Sequence, residues 1–232
     1  MFIPIKDENP TRTKPIVTFI LIVINCLVYL YSITKPAQEF QIFIYQFGLI
    51  PIEITHLAEL TPQFSAPIFL SPLTSMFMHG GFMHLAGNML YLWIFGNNIE
   101  DRLGPFKFLL FYLVSGLAAD FLFIVFSPSS QIPMVGASGA IAGVLGAYLV
   151  LFPRARVLTV LFLFYFIRLV HLPAKVILGF WFFYQLLMSF MGAGGGGGVA
   201  WLAHVGGFAF GWAWFRFISG RRSRSWRSQV EG

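Results

Sequence analysis

The chain has 232 residues, 57% of them hydrophobic and only 10% charged, with a formal net charge of +6. A water-exposed domain carries roughly 25% charged residues, so this composition excludes an ordinary soluble surface and suits one that faces lipid. The positive charge is spread over short loops and one tail, which marks membrane orientation and argues against nucleic acid as a partner. The single cysteine, Cys26, lies in an apolar run and leaves no disulfide framework to build.

A spanning helix needs about 20 mainly apolar residues. Residues 1–15 carry Lys6, Asp7 and Glu8 ahead of any apolar run, and read as a cytoplasmic segment without a cleavable signal peptide. The first predicted span is Ile16 to Tyr31. From Ser32 to Met78 the chain holds Pro36, Pro51, Pro62, Pro67 and Pro72, which break any long helix. Apolar pieces there, such as Phe40 to Ile50, suit amphipathic segments at the membrane surface. The second span is Phe82 to Phe95 and the third Pro105 to Phe126. A loop with Pro128 and Pro133 leads to the fourth, Ser138 to Phe152. Residues 157–171 form a mixed stretch that reads as a surface segment or as a short seventh span. The fifth span is Pro173 to Met191, the glycine run Gly192 to Gly198 follows, and the sixth span is Val199 to Ile218. The expectation is an all-α polytopic bundle of six spanning helices over residues 16–218, with a basic cytoplasmic tail at 219–232.

With six spans both termini share one side. That side collects Lys6, Arg12, Lys14, Arg102, Lys107, Arg154, Arg156, Arg168, Lys175 and Arg216, whereas the other holds Lys35 alone. Such asymmetry places the termini in the cytoplasm. Short loops and the absence of a targeting peptide suggest a bacterial plasma membrane. The tail from Arg221 to Arg227 suits anionic lipid.

Polar groups inside spans are costly and mark function by default. His84 and Asn88 lie four apart on the second span and share a helix face. Ser138 opens the fourth span between Gly136 and Gly139, and His204 lies early in the sixth, before Gly207 and Gly211. These three spans run in the same direction. At 1.5 Å per residue in a core about 30 Å thick, Ser138, His204 and Asn88 all fall roughly 8–9 Å below the outer surface. A serine hydroxyl needs a base to take its proton, and a neutral imidazole serves near neutral pH. The unpaired amide at a helix start, with the Asn88 amide and the His84 ring, can stabilise an oxyanion. Gly139, Gly143 and Gly146 on one helix and Gly207 and Gly211 on the other permit close backbone approach. No acid stands ready as a third member, so a dyad is expected. Singly, each residue has a plainer reading: a membrane serine often bonds its own backbone, and a membrane asparagine often ties helices together. Their shared depth speaks against those readings jointly.

Gly136-Ala137-Ser138-Gly139, Ala203-His204-Val205-Gly206-Gly207 and the histidines and asparagine at His79, His84 and Asn88 together resemble the rhomboid family of intramembrane serine proteases. The likeness runs from about Leu73 to Gly211 and includes Gly96 to Gly104. It implies a Ser138–His204 dyad, an oxyanion site of His84, Asn88 and the Ser138 amide, and no cofactor or metal. It implies substrates that are single-pass membrane helices, cut near the outer surface. His79 would be a structural hydrogen-bonding residue. Glu100 and Arg102, beside Gly104, would be a loop pair tying neighbouring helices. The fifth span and the glycine run would be gate and cap. The Trp-Arg pair that some members carry in the first loop is missing between Ser32 and Met78, and Asp120 within the third span is unusual.

Other classes fit less well. A non-catalytic binder of membrane helices would be expected to lack the serine or the histidine. A transporter would show internal repeats and ligands at the midplane. An α/β-hydrolase needs Gly-x-Ser-x-Gly after a strand, and residue 140 is Ala140. A zinc protease needs His-Glu-x-x-His, which the chain does not contain.

Overall fold

The first turn of a helix has amides with no partner of its own, and this requirement fixes where the first long helix, α1 (Ile16–Ile33), begins. Pro15 provides no side-chain cap. The carboxylate of Glu100 does so from far along the chain, accepting from Val17 N–H (2.8 Å), Thr18 N–H (2.7 Å) and Thr18 Oγ1 (2.8 Å). Asp101 beside it accepts from the Thr13 amide (2.7 Å), so the approach to α1 is tied down as well. The computed structural model describes residues 2–57, 67–163, 166–191 and 201–218. The expectations for the Gly192–Gly198 run and the Arg221–Arg227 tail fall outside these residues.

After α1 come the short helices α2 (Ala37–Phe47) and α3 (Pro51–His56), a 3₁₀ turn (Ile68–Leu70) and α4 (Ser71–Ser75). The prolines that break this loop start its pieces, since proline fits the first helical turn. The loop is stitched to the segment ahead of Ser138. Leu49 and Met134 exchange backbone bonds of 2.9 and 2.8 Å, and Gly136 N–H donates to the Ser75 carbonyl at 2.9 Å.

The second span is longer than the sequence pattern indicates. Helix α5 (Phe82–Tyr91) passes through a π-helical turn (Leu92–Gly96) into α6 (Asn97–Leu103). Gly104, at φ +78°, then reverses the chain into α7 (Pro105–Phe126). Helix α8 (Ser138–Leu151) has only 14 residues, and Ala140 to Tyr148 are all buried. A helix enclosed by protein does not have to match the thickness of a bilayer. Helices α9 (Ala174–Met191) and α10 (Trp201–Ala213) follow, the latter closing in a second π turn (Trp214–Ile218). By length and apolarity alone, three described helices can cross a membrane, namely α1, α7 and α9. The chain is therefore a mostly helical membrane protein, in which the remaining expected spans are short or composite.

The all-α expectation needs correction. Phe2–Asp7 (β1), Arg156–Leu163 (β2) and Phe166–Pro173 (β3) form an antiparallel sheet in the order β1-β2-β3. Residues 157–171 thus hold two strands and not a seventh spanning helix. A short apolar run does not distinguish strand from helix by periodicity, and the β-branched residues Val157, Thr159, Val160, Ile167 and Val170 favour the strand. Residues 2–7, expected as a plain terminal segment, supply the third strand.

Asp7 carries β1 into the helical body. Its Oδ2 accepts from Tyr148 Oη and Asn98 Nδ2, both at 2.7 Å. Tyr148 belongs to α8 and Asn98 to α6, so one carboxylate joins the ends of both helices. Packing between α8 and α10 is equally close. A Cβ on Gly207 would strike the Gly139 carbonyl, and one on Gly211 the Gly143 carbonyl. Only glycine permits this backbone-on-backbone contact.

Candidate active site

Ser138 is the first residue of α8, and His204 lies one turn into α10. Because the glycine seam draws these helices together, their side chains meet at this end. Ser138 Oγ and His204 Nε2 are 2.7 Å apart. That is hydrogen-bond distance for a nucleophile and its base.

The segment ahead of Ser138 is shaped by Gly136, whose φ of +127° few other residues adopt. A Cβ there would stand 2.7 Å from His84 Nε2 and 3.6 Å from Asn88 Nδ2. The His84 ring and the Asn88 amide therefore lie over the peptide leading into Ser138. His79 is buried, and its Nε2 accepts from Asn88 Nδ2 at 2.9 Å. An amide nitrogen has two donors, so this bond orients Asn88 and leaves its second N–H available. His84 packs edge-on to the His79 ring, with centroids 5.1 Å apart. Gly139 faces Ala119 of α7, where a Cβ would come within 2.6 Å.

Ser138, His204, His84 and Asn88 all line one cavity of about 960 Å³. Its wall includes the helix start at Ser138, where backbone amides point outward at the positive end of the dipole. A hydroxyl beside an imidazole, facing such donors, is an arrangement suited to acyl transfer through an oxyanion. Among the described residues no group of three or more His, Cys, Asp or Glu is arranged to hold a metal ion.

Glu100, Arg102 and Gly104 lie away from this cavity. Glu100 caps α1, and among the described residues no ion pair joins it to Arg102. Gly104 serves the turn between α6 and α7, donating to the Glu100 carbonyl at 2.7 Å. The tie between helices therefore runs from Glu100 to the first turn of α1.

The sequence reading missed Gln185. Its Oε1 stands 2.7 Å from His204 Nδ1, on the far side of the ring from Ser138. Trp181, one turn earlier on α9, sits 5.9 Å from the His204 ring. A single glutamine in an apolar helix carries no motif. The only signal was its spacing of four from Trp181, which puts both on one face. Asp120 also lines the cavity, buried and with Oδ2 lacking a partner among the described residues.

The known proteins that resemble this chain share one family. The rhomboid domain profile matches residues 69–221. Rhomboid protein 1, mitochondrial, of Saccharomyces cerevisiae is 31% identical over 172 residues, covering 70% of this chain and 46% of that protein. Rhomboid protease GluP of Bacillus subtilis is 47% identical over 77 residues, or 33% of this chain and 15% of that protein. The presenilin-associated rhomboid-like protein, mitochondrial, of Homo sapiens is 34% identical over 115 residues, covering 48% of this chain and 30% of that protein. This chain thus spans less than half the length of these relatives. Their names overturn the assignment to a bacterial plasma membrane, because the yeast and human proteins are mitochondrial. The physical reason is that loop charge reports the side of a membrane and not which membrane it is. On the profile match and the yeast relative together, the chain belongs to the rhomboid family, a family of intramembrane proteases.

Proposed function

We propose that this chain is an intramembrane serine endopeptidase in which Ser138 attacks a peptide carbonyl and His204 takes its proton. The observation that carries the reading is the 2.7 Å approach of Ser138 Oγ to His204 Nε2 inside a cavity also lined by His84 and Asn88. His204 removes the hydroxyl proton as the carbon–oxygen bond forms, then returns it to the leaving amine. The Ser138 amide, the free Asn88 N–H and the His84 ring donate to the oxyanion. Water then attacks the acyl-enzyme with the same histidine as base.

The substrates in this reading are single-pass membrane proteins, cut near the outer membrane surface. Residues 16–218 form the protease core, crossing the bilayer six times, with residues 1–15 and 219–232 on the side that holds the arginine-rich loops. A mitochondrial membrane is the compartment that the yeast and human relatives' names favour.

The test is cleavage of a single-pass substrate in liposomes by wild type, Ser138→Ala and His204→Ala. Both substitutions abolish cleavage while the melting temperature holds. Cleavage that survives Ser138→Ala removes that serine as the nucleophile.

A further inference from the structure

We infer that Gln185 is a positioning residue for the general base: its side-chain oxygen holds the His204 ring in the tautomer that takes the Ser138 proton. The inference rests on the reading of Ser138 and His204 as nucleophile and base.

A neutral imidazole has one N–H and one bare nitrogen. To accept from Ser138 Oγ, Nε2 must be bare, and the ring hydrogen must then sit on Nδ1. Gln185 Oε1, at 2.7 Å, accepts that Nδ1–H. The bond is one-directional, since an amide oxygen accepts and never donates. Without an acceptor at Nδ1 the ring populates both tautomers, and the one with its hydrogen on Nε2 cannot serve as base.

The surroundings of Gln185 fit this role. Helix α9 turns Phe180, Phe183, Tyr184 and Leu187 outward, and beyond Leu178 the buried residue on it is Gln185, 5% exposed. A buried amide costs free energy unless it is bonded, and the imidazole supplies the bond. Trp181 on the same face stacks with Phe208 and flanks the His204 ring, limiting its rotation. An amide also suits the location better than a carboxylate, since a neutral dipole orients the ring without bringing a charge to membrane depth. One consequence is that the base is assembled from two helices. His204 comes from α10 and its acceptor from α9, so separation of these helices withdraws the acceptor.

The experiment uses the full chain in liposomes as wild type, Gln185→Leu and Gln185→Glu. It reads the ¹⁵N spectrum of His204, assigned by comparison with His204→Ala, and the kinetics of single-pass substrate cleavage. Loss of one buried hydrogen bond corresponds to about 10- to 100-fold in rate. Gln185→Leu therefore lowers kcat by about that factor, leaves KM within about twofold, and gives His204 a mixture of tautomers. Gln185→Glu, which keeps an acceptor at the same reach, restores one tautomer and most of the rate. An unchanged kcat in a folded Leu variant overturns the inference, as does a folded Glu variant that restores neither tautomer nor rate. If the Leu variant does not fold, the tautomer and kcat of the Glu variant decide alone. Wild type that shows no Ser138-dependent cleavage overturns the protease reading and this role with it. Ser138-dependent cleavage indifferent to Gln185→Leu overturns this role only.

Discussion

Removing the Asp7 carboxylate tests how the sheet is fastened to the helices. Asp7→Ala takes the acceptor from Tyr148 Oη and from one N–H of Asn98 Nδ2, whose other N–H donates to Asn97 Oδ1 at 2.7 Å, and both residues are buried. An unsatisfied buried donor costs about 1–3 kcal/mol. Releasing a buried carboxylate offsets part of this, so the net loss at neutral pH is about 2–4 kcal/mol. At ~2–4 °C per kcal/mol for a chain of this size, the melting temperature falls by about 4–16 °C. Burial pushes the Asp7 carboxyl above its ordinary value, against the opposing bonds from Tyr148 and Asn98. A carboxyl whose folded pKa is raised contributes most stability below its unfolded pKa, and that contribution is lost as pH rises through the raised value. Asp7→Asn keeps an accepting oxygen without a charge. It stays near wild type at neutral pH and lacks this part of the pH slope. Thermal melts in detergent from about pH 4 to pH 8 measure both effects. An Ala variant that melts with wild type, or an Asn variant with the wild-type slope, refutes the reasoning.

Three further outcomes follow from the geometry. His84→Ala and Asn88→Ala each lower kcat by about 10²–10³ with KM little changed, as expected for donors to an oxyanion; steady-state cleavage measures this. Gly211→Leu forces α10 away from the Gly143 carbonyl, destabilises the fold by about 1–3 kcal/mol, and reduces cleavage because Ser138 and His204 separate; melts and cleavage on the same preparation check it. Glu100→Ala strips three bonds from the first turn of α1, lowering stability by about 2–4 kcal/mol, whereas Glu100→Gln retains part of it.

Much of the candidate site was legible because polar residues in apolar helices are conspicuous. Ser138, His204, His84 and Asn88 each interrupt a hydrophobic run, and helical rise alone gives Ser138, His204 and Asn88 one expected depth. The glycines of α8 and α10 were readable for a similar reason, as small residues at helical spacing. Gln185 was not, because its meaning lies in a contact with a helix that follows a glycine-rich connection, and sequence spacing says nothing about which faces meet across it. The role of Glu100 was half visible. Its importance to the loop could be guessed, but its partners lie some 83 positions earlier in α1. The sheet was hidden because Arg156–Leu163 is apolar almost throughout, so the alternation that announces a strand is missing. Phe2–Asp7 holds Pro4 and a bulge between Pro4 and Lys6, which disguises it further.

The pairing of β1 with β2 also acts as a count on the membrane path. Asp7 lies opposite Val157 in this ladder, so any path of the chain through a membrane has an even number of crossings between these residues. In the proposed six-span path, helices α1, α5 with α6, α7 and α8 make four. The Leu49–Met134 bridge imposes the same parity between its own ends, where the proposed path has α5–α6 and α7 as its two crossings. Two sets of backbone hydrogen bonds thus constrain the proposed alternation of the chain independently of its arginines and lysines. A substitution that moved a loop charge would leave that alternation in place for as long as both ladders form.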